Sequence, residues 1–303
     1  MLVSHVFIKK HNFNAGKWIY EGYQQAWQAL GYTTHYYDNL SEIKDFKDEY
    51  YLMASDSEIN NPDSIDIIKK SQKTFLYVQP NKFPLPWGRH PNFFSLCPDQ
   101  YIEKLNNLEN VYQWCFGRVT EYHHKWSSVH YLPLAYDSIN YKDIKDRRYE
   151  FDVCFIGGWA NNGFNEKRQI MINHFKKFKD TDIKCGIFIN RDLSNDVEMK
   201  ILSNSKISLN IHDAYQRKLG LDTNERTFKS LGLCGYLISD QVDEVSNLFP
   251  DLKTSSDPDK FVDLVRQALN TSCDELNFIK KQNKLDIMNN HTYINRVEQL
   301  IKL

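Results

Sequence analysis

Short apolar runs alternate with longer stretches in which apolar residues recur at helical spacing, and the alternation holds along the whole chain. Residues 2–8 read as a strand. Trp18, Tyr23, Ala26, Trp27 and Leu30 share one helical face that stops at Gly31, and residues 33–37 read as a second strand. A helix between two strands is the crossover that parallel pairing requires. Strands over 50–54 and 74–78 with a helix over 65–71 continue the pattern. Strands over 93–96, 111–114 and 128–132, with helices over 101–108 and 119–126, complete a first sheet. Pro80, Pro84, Pro86 and Pro91, with Trp87 and Gly88 among them, exclude helix and central strand, so a loop is expected there, overhanging a cleft.

The same rhythm returns after a charged stretch without apolar periodicity, residues 137–150, read as a linker. A strand over 152–156, a helix over 166–178, a strand over 184–187 and a helix over 196–203 follow. Next come strand 207–211, a polar loop, a helix carrying Asn224, Arg226 and Lys229, a turn at Gly235 and strand 236–239. Helices over 257–269, 273–288 and from 291 onward close the chain. The pattern predicts two α/β domains, 1–136 and 151–289. A length of 303 residues suits two units of ordinary size.

Composition narrows the class without naming a partner. Hydrophobic content of 41% and charged content of 25% are globular values. No run is long enough to span a membrane, and MLVSHVFIKK has too short an apolar core for a secretory signal, so a cytoplasmic protein is expected. The cysteines at 97, 115, 154, 185, 234 and 273 are scattered, with no CxxC pair, and read as reduced core residues. A net charge of −1 provides no global attraction for polyanions.

Candidate chemistry concentrates where strands end. In a parallel sheet, ligands sit beyond the carboxyl ends of the strands, so the segment 207–240 builds a phosphate-binding crevice. Asp222, Thr223 or Asn224 can cap the helix, whose positive end then faces the crevice with Arg226 one turn in and Lys229 a turn further. Gly157 and Gly158 end a strand and let backbone amides approach a phosphate, with Arg168 as a bidentate donor in the following helix. Asn210 and His212 lie at a strand end within reach of base, ribose or sugar.

Four segments in order also carry a family resemblance. They are Asn224-Glu225-Arg226-Thr227-Phe228 with Gly235 and a strand ending at Asp240; Tyr131-Leu132-Pro133-Leu134-Ala135; Phe151 to Gly158; and His291-Thr292-Tyr293-Ile294-Asn295-Arg296. Together the chain from Tyr131 onward resembles the CgeB-like glycosyltransferases of the glycosyl transferases group 1 superfamily. The resemblance implies a GT-B fold, an α/β architecture of two Rossmann-like domains facing a central cleft. It implies a nucleotide-sugar donor held mainly by the second domain, through Gly157, Gly158, Arg168, Asn210, His212, Asn224, Arg226, Thr227 and Lys229. It also implies that the last helix, 290–303, crosses back onto the first domain. Lys229 stands where much of the superfamily has a glutamate that binds the donor ribose, so that contact is not carried over.

The first domain is then expected to hold the acceptor, with Gln79, Trp87 and Arg89 as contacts and His11, Asp56 or Asp99 as base. An imidazole pKa of about 6.5 suits proton removal near neutrality. Gln79 itself cannot act as a base. No clear Asp-x-Asp metal loop lies between short strands, so no metal or cofactor is expected, with basic side chains and a helix end facing the leaving diphosphate. The leading expectation is transfer of a sugar to a hydroxyl of a glycan or glycoconjugate, in surface-polysaccharide or glycoconjugate assembly. One alternative is a phage-type enzyme acting on modified DNA bases, using a local patch of Lys82, Arg89, His90 and Lys125. Another is a silent GT-B protein that binds nucleotide sugars without turnover. A dinucleotide oxidoreductase is disfavoured, because Gly157-Gly158 lacks the GxGxxG spacing.

Overall fold

The computed structural model of the protein describes residues 3–11, 14–90, 92–159 and 166–303. Leu2, the expected start of the first strand, and Pro91 of the proline-rich loop lie outside them. The chain divides into two units, Met1–Pro133 with Tyr293–Leu303, and Leu134–Thr292.

Unit 1 contains β1 (His5–Lys9), α1 (Asn14–Ala29), β2 (Thr33–Tyr37), β3 (Tyr50–Ser55), α2 (Pro62–Lys70), β4 (Lys73–Tyr77), α3 (Asp99–Asn106), β5 (Val111–Cys115) and β6 (Val129–Tyr131). Among the described residues these strands form one six-stranded sheet, ordered β2-β1-β3-β4-β5-β6, with every pair parallel. Ile8, Leu52 and Phe75 on the central strands are fully buried, which is why these strands read as apolar runs rather than alternating ones.

Unit 2 contains β7 (Val153–Gly157), α4 (Lys167–Phe175), β8 (Cys185–Ile189), α5 (Asn195–Asn204), β9 (Ile207–Asn210), α6 (Ala214–Leu219), α7 (Glu225–Leu233), β10 (Leu237–Ser239), α8 (Asp243–Leu248), β11 (Lys253–Thr254), α9 (Pro258–Leu269) and α10 (Cys273–Asn290). Its sheet has five strands, ordered β11-β10-β9-β7-β8, all parallel. Phe155, Leu209, Ile238 and Phe261 centre its core. Counted within each unit, both sheets place the second strand outside the first and the third on its other side. Each therefore reverses winding beside its first strand, at β1/β3 and at β7/β9, where such sheets open a crevice.

Several sequence expectations change. Residues 93–96 form turns rather than a strand, since the Phe93 and Ser95 amides donate to the carbonyls of His90 and Pro80. Of the helix expected over 119–126, only a 3₁₀ turn at Glu121–His123 forms, with its start capped by Thr120. So short a segment cannot repay helix nucleation by itself, and its Trp126 is tied to the Gln79 carbonyl at 3.0 Å. The loop expected after β9 holds α6, while α8 and β11 were too short for periodicity to reveal. Residues 137–150 are attached to unit 2 rather than free. The Ile144 and Asp146 amides donate to the side chains of Ser203 and Asn204 at 3.2 and 3.0 Å, at the end of α5.

The last helix, α11 (Tyr293–Lys302), belongs to unit 1 and packs on α1. The contact depends on Gly22, where a Cβ would lie 2.3 Å from the Tyr293 ring. Arg296 anchors the same helix by donating from Nε to the Pro133 carbonyl at 2.8 Å. Gly22→Ala should therefore lower the unfolding free energy by about 1–3 kcal/mol through overpacking, read from urea denaturation. Wild-type stability in that variant would contradict the packing described.

Candidate active site

The β7–β9 ladder pairs Val153 with Ile207 and Cys154 with Ser208, then ends. Beyond it the strands no longer satisfy each other's backbone groups, and the Arg226 side chain fills the opening. Its Nε donates to the Ile156 carbonyl, and its Nη1 donates to Asn210 Oδ1 at 2.9 Å and to the Ile211 carbonyl at 3.5 Å. The guanidinium lies over the Phe155 ring, 5.1 Å from its centroid. Gly157 makes this possible, because a Cβ there would sit 2.2 Å from Arg226 Nη2. Among the described residues Nη2 has no hydrogen-bond partner, which leaves one edge of a fixed cation unsatisfied.

A buried amide and hydroxyl network holds this arrangement. Asn210 and Asn224 pair reciprocally, Nδ2 to Oδ1, at 3.0 and 3.2 Å. Asn210 Nδ2 also donates to Thr227 Oγ1 at 3.0 Å, and Thr227 and Thr223 share a hydrogen bond of 2.6 Å. His212 Nδ1 lies 2.6 Å from Asp240 Oδ1, and since a carboxylate only accepts, Nδ1 carries the proton there. Its Nε2 lies 2.8 Å from Thr223 Oγ1. Arg217 completes the group with 3.1 Å to Asp240 Oδ2. Burial raises the Asp240 pKa, but His212 and Arg217 outweigh it and hold the carboxyl below its usual range.

These contacts revise the sequence assignments. His212, fully buried with both ring nitrogens engaged, positions neighbours rather than meeting a ligand. Thr227 is equally buried and serves the same network. Asn224 occupies the N-cap position of α7 but makes no side-chain cap bond, its amide being committed to Asn210. The first-turn N–H groups thus receive no side-chain cap. Gly158 leaves room for Asn190, whose Oδ1 accepts from the Trp159 amide at 3.2 Å.

Lys229 is not an outward-facing cation. It is buried between Glu198 Oε2 at 3.0 Å and Glu225 Oε1 at 2.9 Å, with the Tyr141 ring 4.8 Å away. Burial disfavours its ammonium, yet the two glutamates more than compensate and raise its pKa. Arg168 is exposed and lies beside the Trp159 ring at 5.7 Å. The residue before it, Lys167, is the one turned inward, buried and 3.3 Å from Asp213 Oδ1. Burial and the nearby Arg226 charge lower its pKa to about 8, against the pull of Asp213. Sequence reading missed Lys167, since adjacent Lys and Arg at a helix start offer no signal for which faces in.

In unit 1, His11 follows β1 at the β1/β3 switch and stacks on Tyr20 with centroids 4.1 Å apart. Burial, then Lys9, lowers its pKa, so the ring is neutral near pH 7, and its buried Nε2 has no hydrogen-bond partner. The other expected bases are engaged within the protein. Asp56 is fully buried and accepts from the Gln79 amide at 3.0 Å, with burial raising its pKa. Asp99 opens α3 with a side chain 67% exposed and pairs with Lys125 at 2.7 Å. That pairing also removes Lys125 from the suggested basic patch. Trp87 is buried in the proline-rich loop and Arg89 is exposed. Glu58, unremarked in the sequence, sits near the same switch and is held by Lys9 at 3.3 Å, the Tyr37 hydroxyl at 3.1 Å and the Ser55 amide at 3.0 Å.

Two parallel α/β units with this strand order are the architecture of the GT-B fold, shared with the solved structures below. The chain belongs to the glycosyl transferase-like family, whose model matches residues 143–302, just over half of it. No curated protein matches it in sequence. Among solved structures, an alpha-glucosyltransferase in complex with UDP-glucose and DNA containing an abasic site is similar at TM-score 0.60 and 10% identity, covering 99% of both chains. An alpha-glucosyltransferase bound to UDP and a 13-mer DNA containing a HMU base gives 0.57 at 9% identity, covering 98% of each chain. The alpha,alpha-trehalose 6-phosphate synthase of Burkholderia multivorans gives 0.52 at 9% identity, covering 96% of this chain and 75% of that one. At such identities the likeness is one of fold.

If Lys229 is a structural cation, Lys229→Met leaves two buried carboxylates unpaired and should cost about 3–5 kcal/mol of stability in chemical denaturation. An unchanged denaturation midpoint would return Lys229 to the list of ligand-binding residues.

Proposed function

We propose that the protein transfers a sugar from a nucleoside-diphosphate donor to a hydroxyl acceptor, with the donor diphosphate seated at the β7/β9 switch of unit 2. The observation that carries this reading is Arg226, fixed across the opening by three acceptors, with Nη2 left without a hydrogen-bond partner among the described residues. Lys167 adds a second cation within electrostatic range, and the uncapped first turn of α7 adds a third positive end. Cleaving a sugar from a diphosphate builds negative charge on the leaving oxygens. Donors already fixed in place stabilise that charge without reorganising as it develops. Gly157 makes room for the guanidinium, while Asn210, itself paired with Asn224, holds Arg226 in position.

On the acceptor side, His11 is the base in this reading. A neutral imidazole can take a hydroxyl proton, and a buried ring nitrogen without a partner gains a hydrogen bond when a hydroxyl arrives. A glycan or glycoconjugate acceptor fits the balanced charge of the chain. A DNA acceptor is the second reading, favoured by end-to-end similarity to alpha-glucosyltransferases whose structures contain DNA. The net charge of −1 and the neutralisation of Lys125 by Asp99 weigh against it.

UDP should raise the melting temperature, and both Arg226→Ala and Lys167→Met should remove most of that rise without unfolding the protein. Lys167 is charged below about pH 8 and neutral above it. Half-buried Asp222, raised to about 7 chiefly by burial, becomes anionic over a neighbouring range. Both changes disfavour an anion, so UDP affinity should fall as pH rises from 7 to 9, measured by titration calorimetry. Wild-type affinity in Arg226→Ala would end the assignment. Separately, His11→Ala should slow transfer by about 10²–10⁴-fold while leaving UDP binding intact. Equal rates of transfer would remove His11 from the chemistry.

A further inference from the structure

Five polar side chains behind Arg226 are almost without exposure: Asn210, His212, Thr227 and Asp240 at 0%, and Thr223 at 3%. They form one continuous run of contacts. Asp240 Oδ1 lies 2.6 Å from His212 Nδ1, His212 Nε2 lies 2.8 Å from Thr223 Oγ1, and the two threonine hydroxyls are 2.6 Å apart. Asn210 Nδ2 donates to Thr227 Oγ1 at 3.0 Å, and the run ends where Asn210 Oδ1 accepts from Arg226 Nη1 at 2.9 Å. A buried carboxylate and imidazole are costly for stability alone, since well-packed apolar residues of similar volume often serve a core as well or better. What this run has and an apolar core lacks is direction.

Direction matters because the Asn210 amide must present its oxygen to Arg226. Turned over, it would set Nδ2 against Nη1, two donors at 2.9 Å. The reciprocal pair with Asn224 does not choose between these orientations, because turning both amides over leaves each nitrogen facing an oxygen. Thr227 does not choose either, since a hydroxyl both donates and accepts. His212 makes the choice. Asp240 is fixed as an acceptor by the His212 amide at 3.1 and 3.0 Å and by Arg217 at 3.1 Å, and it holds the imidazole proton on Nδ1. With Nε2 bare, Thr223 donates to it, Thr227 donates to Thr223 and Asn210 Nδ2 donates to Thr227, so every contact joins donor to acceptor. Asn210 Nδ2 also lies 3.3 Å from Nε2 itself, a contact that a bare nitrogen favours and a protonated one opposes.

We propose that Asp240 and His212 are a positioning pair for the donor site. Asp240 keeps His212 in its Nδ1–H tautomer, and the bare Nε2 sets the direction of hydrogen bonding through Thr223 and Thr227 that points Asn210 Oδ1 at Arg226. Both residues are fully buried and act only through the side chains between them and the guanidinium. Their role rests on the assignment of Arg226 to the donor diphosphate, whose developing charge a guanidinium already in place meets without reorganising. Reversal of the run would remove the anchor at Nη1 and leave the cation held by backbone carbonyls alone.

The first measurement uses the unaltered chain. Nitrogen NMR spectra of the His212 ring, assigned from its backbone resonances, should show Nδ1 protonated and Nε2 bare. Thr223→Val removes the hydroxyl next to Nε2 while keeping the side chain's shape. It should weaken UDP binding about tenfold or more in titration calorimetry, the scale on which supporting groups act at other preorganised sites. Thr223→Ser keeps the hydroxyl and should restore most of that affinity, and circular dichroism verifies that both variants are folded. A protonated Nε2 in the wild type overturns the proposal, as does wild-type UDP affinity in Thr223→Val or an equal loss in Thr223→Ser. The spectra need no substitution, so they decide the case even where Thr223→Val does not fold. A wild type that does not bind UDP, or Arg226→Ala that binds it unchanged, would instead end the donor assignment, an outcome distinct from a wrong tautomer.

Discussion

The opening between β7 and β9 is the constraint around which the second unit is arranged. Once the ladder ends, the Ile156 carbonyl would be left without a strand partner near the protein interior, an unfavourable state for a backbone acceptor. Arg226 resolves it, and in doing so places a permanent cation at the point where a doubly wound sheet accepts ligands. The same guanidinium serves the fold and the proposed chemistry. This is why Gly157 must lack a side chain, and why Asn210 is fastened by Asn224 and Thr227 instead of facing a substrate.

Charge neutralisation then separates the cations by role. Lys229 lies between Glu198 and Glu225, and Arg217 is paired with Asp240 beneath His212, so neither has charge left to offer an anion. Lys167 pairs with Asp213, whereas among the described residues Arg226 donates to neutral acceptors. In a partly buried site a cation whose partner is neutral keeps most of its attraction for phosphate, whereas an ion pair has largely cancelled its own field. The distribution of carboxylates, more than that of basic residues, therefore defines the crevice.

The two units repeat one winding pattern but fill their switch points differently. At β7/β9 the filling is a cation on a glycine. At β1/β3 it is Lys9 paired with Glu58, beside a neutral His11 stacked on an aromatic ring. A cationic pocket and a neutral imidazole suit opposite tasks, holding a charged leaving group and accepting a proton. The comparison gives the topological likeness a chemical reading within this chain.

Apolar periodicity alone was enough to reveal the parallel α/β architecture, the repeat of the pattern and nearly every long element, because strands buried on both faces and helices covering them must carry those patterns whatever surrounds them. Gly157 stood out as a strand-end glycine, but what keeps it bare, the Arg226 guanidinium packed against it, is a matter of tertiary structure. Short elements such as α6, α8 and β11 escaped, being held by tertiary contacts that leave no period. Direction escaped too. Whether Lys167 or Arg168 turns inward, whether Lys229 meets glutamates or solvent, and whether Asp56 is a base or a buried anchor depend on neighbours distant in sequence. Packing brings Asp213 to Lys167 and Glu198 to Lys229, and burial together with those charges then decides which ionisable groups remain available for chemistry.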